Sequence, residues 1–154
     1  MSIPFRHSAG FGKRMEYYVV GLMLKEGLDV YMPLVDDNAI DCIIRKPDGS
    51  FIEVQIKARS SSVKQGDGAL FAAIEHGERE NYWFVFYSER LDKFWIMSSH
   101  DFMKEAVTNR TGNNIGKRSI WFNGNRTDPT TRQKVEYAKP RYDKYLAKDF
   151  SIFH

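Results

Sequence analysis

The strongest constraint on this chain lies in residues 39–57, where two apolar runs flank Lys46-Pro47-Asp48-Gly49. Proline presets φ at the second position of a type I turn. Glycine accepts the left-handed conformation that closes a G1 bulge. A three-residue loop of Pro47, Asp48 and Gly49 pairs Lys46 with Ser50, Arg45 with Phe51, Ile43 with Glu53 and Asp41 with Gln55. After the turn the sequence alternates strictly. Ile52, Val54 and Ile56 point one way, and Glu53, Gln55 and Lys57 the other. Directly opposed residues share a face, so Asp41 joins the polar row. A two-residue loop would shift every pair by one and send Asp41 to the apolar side, where a lone carboxylate is costly. The hairpin register thus gathers two acids, an amide and an amine on one patch.

The chain has 154 residues, enough for one domain with a core of its own. We expect a single domain over residues 1–154 and an α/β fold: a mixed central β-sheet flanked by helices. No apolar run approaches the ~20 residues of a membrane helix. The first residues lack the apolar core of a signal peptide, and the single Cys42 excludes an internal disulfide framework. A cytoplasmic location follows as the expectation. Cys42 reads as a small buried apolar residue. Charge is uneven: residues 1–103 hold 12 Lys and Arg against 15 Asp and Glu, and residues 104–154 hold 11 against 5. A basic last third suits contact with a polyanion; on charge alone a solvated basic surface reads equally well.

Along the chain, residues 1–11 read as irregular. Residues 12–25 read as a helix with Met15, Val19, Leu22 and Met23 on one side and Gly27 as its stop. Residues 28–34 read as a short extended run and residues 58–68 as a loop. Residues 69–74 read as a short strand, and Tyr82-Trp83-Phe84-Val85-Phe86-Tyr87 as a central strand. A strand from Phe94 to Met97 follows. Ser98 and Ser99 cap a short helix. Residues 119–122 make another strand, Asn123-Gly124-Asn125 a turn, residues 127–140 an extended polar segment and residues 141–150 a terminal helix.

A carboxylate with amide oxygens is a ligand set for a hard cation such as Mg²⁺, which takes few protein ligands and keeps several waters. A lysine beside it can orient water and stabilise developing negative charge. His7, His76, His100 and His154 are scattered without metal-ligand spacing, Ser60, Ser61 and Ser62 have no paired histidine nearby, and no phosphate-binding Gly-rich loop precedes Lys-Ser or Lys-Thr.

Gly12 to Glu16 on a helix, Gly27, Asp41 within Ala39-Ile40-Asp41-Cys42-Ile43-Ile44, and Gln55-Ile56-Lys57 at the end of the hairpin resemble the PD-(D/E)XK nuclease superfamily. The pattern covers residues 12–57. It is similar to Holliday-junction resolvases and to homing endonucleases with Gln-X-Lys. The resemblance implies a restriction-endonuclease-like core over about residues 12–107 and a basic extension over about 108–154. It implies an Mg²⁺-dependent endodeoxyribonuclease, with Mn²⁺ as a substitute, acting as a homodimer on DNA. Asp41, Gln55 and Glu16 become metal ligands, Lys57 the catalytic lysine, and Glu53 a supplementary acid. Ile40 stands where the motif has proline, and Gln55 where it commonly has an acid. Lys13, Arg14, Arg59, Lys64, Lys117, Arg118, Arg126, Arg132 and Lys134 are the candidates for phosphate contacts. Two other readings stand beside this one: a nucleic-acid-binding protein of the same fold without cleavage, and an interaction protein that uses its aromatic surface.

Overall fold

The structure, a computed structural model, describes residues 8–64 and 68–154. His7 and Gly66 lie outside them. In order the elements are α1 Ser8–Lys25, β1 Asp29–Tyr31, β2 Cys42–Arg45, β3 Phe51–Arg59, β4 Leu70–Ile74, β5 Tyr82–Ser88, β6 Lys93–Ser98 and α2 Ser99–Glu105. After them come β7 Val107–Thr108, β8 Arg118–Trp121, β9 Asn123–Thr127, β10 Lys134–Ala138 and β11 Leu146–Ala147. The central sheet has the order β1-β2-β3-β5-β6-β11. β3 and β5 run parallel, and the other neighbours are antiparallel. With helices packed on it, this is the expected mixed α/β architecture. Among the described residues no helix is long and apolar enough to cross a membrane.

The sheet is covered on both faces. Val19, Val20 and Met23 of α1 pack on Ile44, Ile52, Val54, Ile56, Val85 and Ile96, joined by Phe150 and Phe153. On the other face Tyr82, Phe84, Phe86, Trp95 and Met97 meet Phe102 of α2 and Phe71, Ile74, Ile120 and Phe122 from β4 and the β8 region. Cys42 is fully buried in the first cluster, and burial pushes its thiol up to about 12.

Helix α1 starts at Ser8, earlier than the expected Gly12, and ends as expected. Gly27 has φ +85°, its N–H donates to Leu24 O at 3.0 Å, and the Leu28 N–H donates to Met23 O at 3.1 Å. These two bonds form a Schellman cap, with Leu28 and Met23 both in the α1 core. The hairpin forms as reasoned. The Lys46 N–H donates to Ser50 O, the Gly49 N–H to Lys46 O, and Gly49 has φ +87°. Arg45 pairs with Phe51, Ile43 with Glu53 and Cys42 with Val54.

Two expectations fail for physical reasons. The terminal helix over residues 141–150 is replaced by a 3-10 turn (Pro140–Tyr145), the edge strand β11, and a second 3-10 turn (Ser151–Phe153). Tyr142 and Tyr145 join the α2-side core, whereas Phe150 and Phe153 join the α1-side core. One helix cannot serve both faces of a sheet; an edge strand lets the chain cross between them. The spacing of three within each pair suits a 3-10 turn. The turn expected at Asn123-Gly124-Asn125 is instead strand β9, paired with β10. Gly124 lies opposite Tyr137, and a Cβ there would sit 2.5 Å from the Tyr137 ring. The reversal falls at Asp128, whose carboxylate accepts from the Thr130 and Thr131 N–H groups at 2.8 Å.

Candidate active site

The site is built where β2 begins beside β3. Asp41 is 7% exposed. Regular pairing stops at Cys42 and Val54, and the Asp41 N–H donates to Val54 O at 2.9 Å instead of extending the ladder. Asp41 therefore does not sit opposite Gln55 in the ladder as the simple register count had it. Ala39, two residues earlier, has φ +55°, in the left-handed region. The Asp41 side chain takes over the role of a ladder carbonyl: Oδ2 accepts from the Ile56 N–H at 2.7 Å. This bond fixes one carboxylate oxygen against β3, between Gln55 and Lys57, and leaves the second as an acceptor.

Burial pushes the Asp41 carboxyl up to about 7; the Ile56 N–H pulls it down, the Glu16 and Asp36 carboxylates raise it and the Lys57 ammonium lowers it. A desolvated carboxylate with two acids nearby favours a cation. Asp41 also lines a groove of about 360 Å³ with Lys13 and Tyr17 of α1 and with Met32, Asp36 and Ile40.

The row on β3 lies beside the aromatic row of β5: Glu53 pairs with Tyr82, Gln55 with Phe84 and Lys57 with Phe86. All three polar side chains are half-buried. Gln55 Oε1 lies 3.0 Å from the Tyr82 hydroxyl. Glu53 is ion-paired with Arg79. Glu16, on α1, is ion-paired with Lys13 at 3.1 Å and interacts with Asp41. The structure thus brings Glu16 and Lys57 each within electrostatic reach of Asp41, places Gln55 beside Lys57 on β3, and ties the Glu53 charge to Arg79.

Tyr82 and Arg79 are the residues that sequence reasoning missed. Arg79 Nη1 donates to Asn38 O at 2.8 Å, its guanidinium lies 4.5 Å from the Tyr82 ring centroid, and the Tyr82 hydroxyl donates to Ala39 O. Tyr82 opens an apolar strand and Arg79 sits in a polar connection, so neither carried a local signal. His76 packs between Tyr82, Phe84 and Phe102, and burial brings its pKa down to about 4. At neutral pH it is an uncharged packing residue bonded to Ser99 Oγ at 2.7 Å.

The chain aligns with the solved structure of the bacterial homing endonuclease I-Ssp6803I at a TM-score of 0.58 and 21% identity, over 91% of this chain and 88% of that one. The fold is similar to that of a homing endonuclease. No family model matches the chain, and no curated protein sequence does. At this identity the likeness concerns the fold, a mixed sheet with helices.

Against that fold the basic candidates fall into separate groups. Lys13 and Arg14 lie exposed on α1, with Lys13 beside the groove and within electrostatic reach of Asp41. Arg59 ends β3, and Lys64 is exposed in the loop that follows. Lys117 and Arg118 lead into β8, and Arg126, Arg132 and Lys134 belong to the β9–β10 hairpin and its turn, all three exposed.

Among the described residues no three His, Cys, Asp or Glu side chains come together as a ready-made ion cage. The candidate donors are the buried Asp41 carboxylate, the half-buried Gln55 amide on β3 and the Glu16 carboxylate of α1, which lies within electrostatic reach of Asp41. Mg²⁺ accepts such a set, because it uses one or two carboxylates and keeps its waters. The negative surroundings of Asp41 fit a divalent cation.

Proposed function

We propose that this protein is a metal-dependent DNA endonuclease with a PD-(D/E)XK-type site, active in the cytoplasm. The observation that carries the reading is Asp41, buried and pinned to the β3 backbone between Gln55 and Lys57, in a homing-endonuclease-like fold. Asp41 and Gln55 would hold Mg²⁺, with Mn²⁺ as a substitute, and Glu16 would contribute from α1. A bound Mg²⁺ supplies charge neutralisation at the scissile phosphate and a more acidic water. Lys57 donates hydrogen bonds to the phosphate and stabilises the charge that develops as water adds to phosphorus and the P–O bond to the sugar breaks. Arg79 holds the Glu53 carboxylate beside this row, so Glu53 orders the strand rather than adding charge to the ion. Lys13, Arg14, Arg59, Lys64, Lys117, Arg118 and Arg126 contact phosphates, which makes affinity fall with salt. A homodimer places one site on each DNA strand.

Incubation with linear and branched DNA in Mg²⁺, beside Lys57→Ala, tests the reading. The wild type is expected to cut, and the variant to cut at least about a hundredfold more slowly. Absence of metal-dependent cutting on any DNA, together with salt-sensitive retention on a gel, would favour the alternative of a DNA-binding protein without cleavage. Neither cutting nor retention would leave the aromatic interaction protein.

A further inference from the structure

We propose that Tyr82 is a positioning residue: its hydroxyl couples the segment that carries Asp41 to the Gln55 amide and turns the amide oxygen towards the ion. The inference rests on the metal-site reading above. Its starting point is a conflict over one proton. The Tyr82 oxygen lies within hydrogen-bonding distance of both Ala39 O and Gln55 Oε1. A phenol has one proton to donate. A backbone carbonyl can only accept, so Ala39 O takes that proton. Two bare oxygens would then face each other across 3.0 Å. The conflict disappears when the amide is turned, because its N and O occupy interchangeable positions. The Gln55 NH₂ then donates to the tyrosine oxygen, and its carbonyl oxygen points away from Tyr82 as a free acceptor. A neutral amide is a metal ligand only through that oxygen.

The second observation concerns the backbone. Ala39 is a non-glycine residue in the left-handed region, two positions before Asp41. Strain of this kind persists only where the surroundings hold it. Here Arg79 holds Asn38 O and the Tyr82 hydroxyl holds Ala39 O. Tyr82 itself is fixed: it is 1% exposed, with Arg79 over one ring face and His76 and Phe84 against the ring. Many buried tyrosines satisfy their hydroxyl with any convenient acceptor. This one joins the two segments that supply the proposed ligands, which a packing role alone does not require.

Titration of the metal-free full chain with Mn²⁺, read by electron paramagnetic resonance, tests the proposal. Tyr82→Phe keeps the ring and removes the hydroxyl. It is expected to weaken Mn²⁺ binding about tenfold, the effect of losing a group that orients a ligand. Because Tyr82 acts largely through Gln55, the losses from Tyr82→Phe and Gln55→Ala should combine to less than their product. Wild-type affinity in Tyr82→Phe, or fully multiplicative losses, would overturn the proposal while leaving the metal site standing. Absence of Mn²⁺ binding by the wild type would remove the metal site itself. Should Tyr82→Phe fail to fold, the comparison is repeated on an Ala39→Gly background, where the left-handed turn needs no restraint. The same about tenfold loss on removing the hydroxyl is expected there.

Discussion

Asp41 is placed where its charge is expensive to the fold and useful to the site. Its folded pKa of about 7 stands above the ordinary carboxylate value. Between pH 4 and 7 the unfolded chain has lost a proton that the folded chain keeps. The stability tied to this group is therefore full below about pH 4, falls as pH rises, and is gone above about pH 7. Asp41→Asn keeps an acceptor for the Ile56 N–H and removes the charge. Metal-free Asp41→Asn is expected to be more stable than the wild type by about 1–3 kcal/mol at pH 8, with little difference near pH 4. Thermal melts in EDTA at the two pH values check this, and a loss of stability at pH 8 would contradict it. The same substitution should abolish Mg²⁺-dependent cutting, so that stability and function move in opposite directions.

At the scale of elements, what could be read in advance was local. The hairpin followed from Pro47, Gly49 and an alternating strand, all within 19 residues. The Gly27 stop, the Ser98 cap and the apolar strand β5 were equally local. Gly49 can be tested directly. It has φ +87° and no side chain closer than 3.9 Å, so backbone conformation, not space, demands glycine there. Gly49→Ala should cost about 1 kcal/mol in denaturant unfolding, and Gly49→Asn distinctly less, because asparagine tolerates the left-handed region. Equal costs would mean that the bulge does not set the turn. What escaped the sequence was decided by partners far away. Tyr82 meets Ala39 and Gln55, and Arg79 meets Asn38 and Glu53, across 26 to 43 residues. Gly124 looked like a turn residue, but its lack of a side chain makes room for Tyr137.

Across the whole molecule, the chain closes one sheet between two apolar layers and leaves a polar row where β2 and β3 emerge. The C-terminal residues take part in both layers, with Tyr142 and Tyr145 on one face and Phe150 and Phe153 on the other. No window of sequence announces that crossing, because each pair reads locally as a piece of helix. The candidate site was legible as a set of residue types, and its electrostatics were not: Asp41 became a buried carboxyl with a raised pKa only once α1, the 32–41 segment and β3 enclosed it. The proposed activity requires a cation at that position. A crystal structure soaked in Mn²⁺ tests it most directly. An anomalous density peak coordinated by the Asp41 carboxylate and the Gln55 amide oxygen is expected; an ordered site without a peak, or manganese bound only elsewhere, would rule out the proposed metal centre.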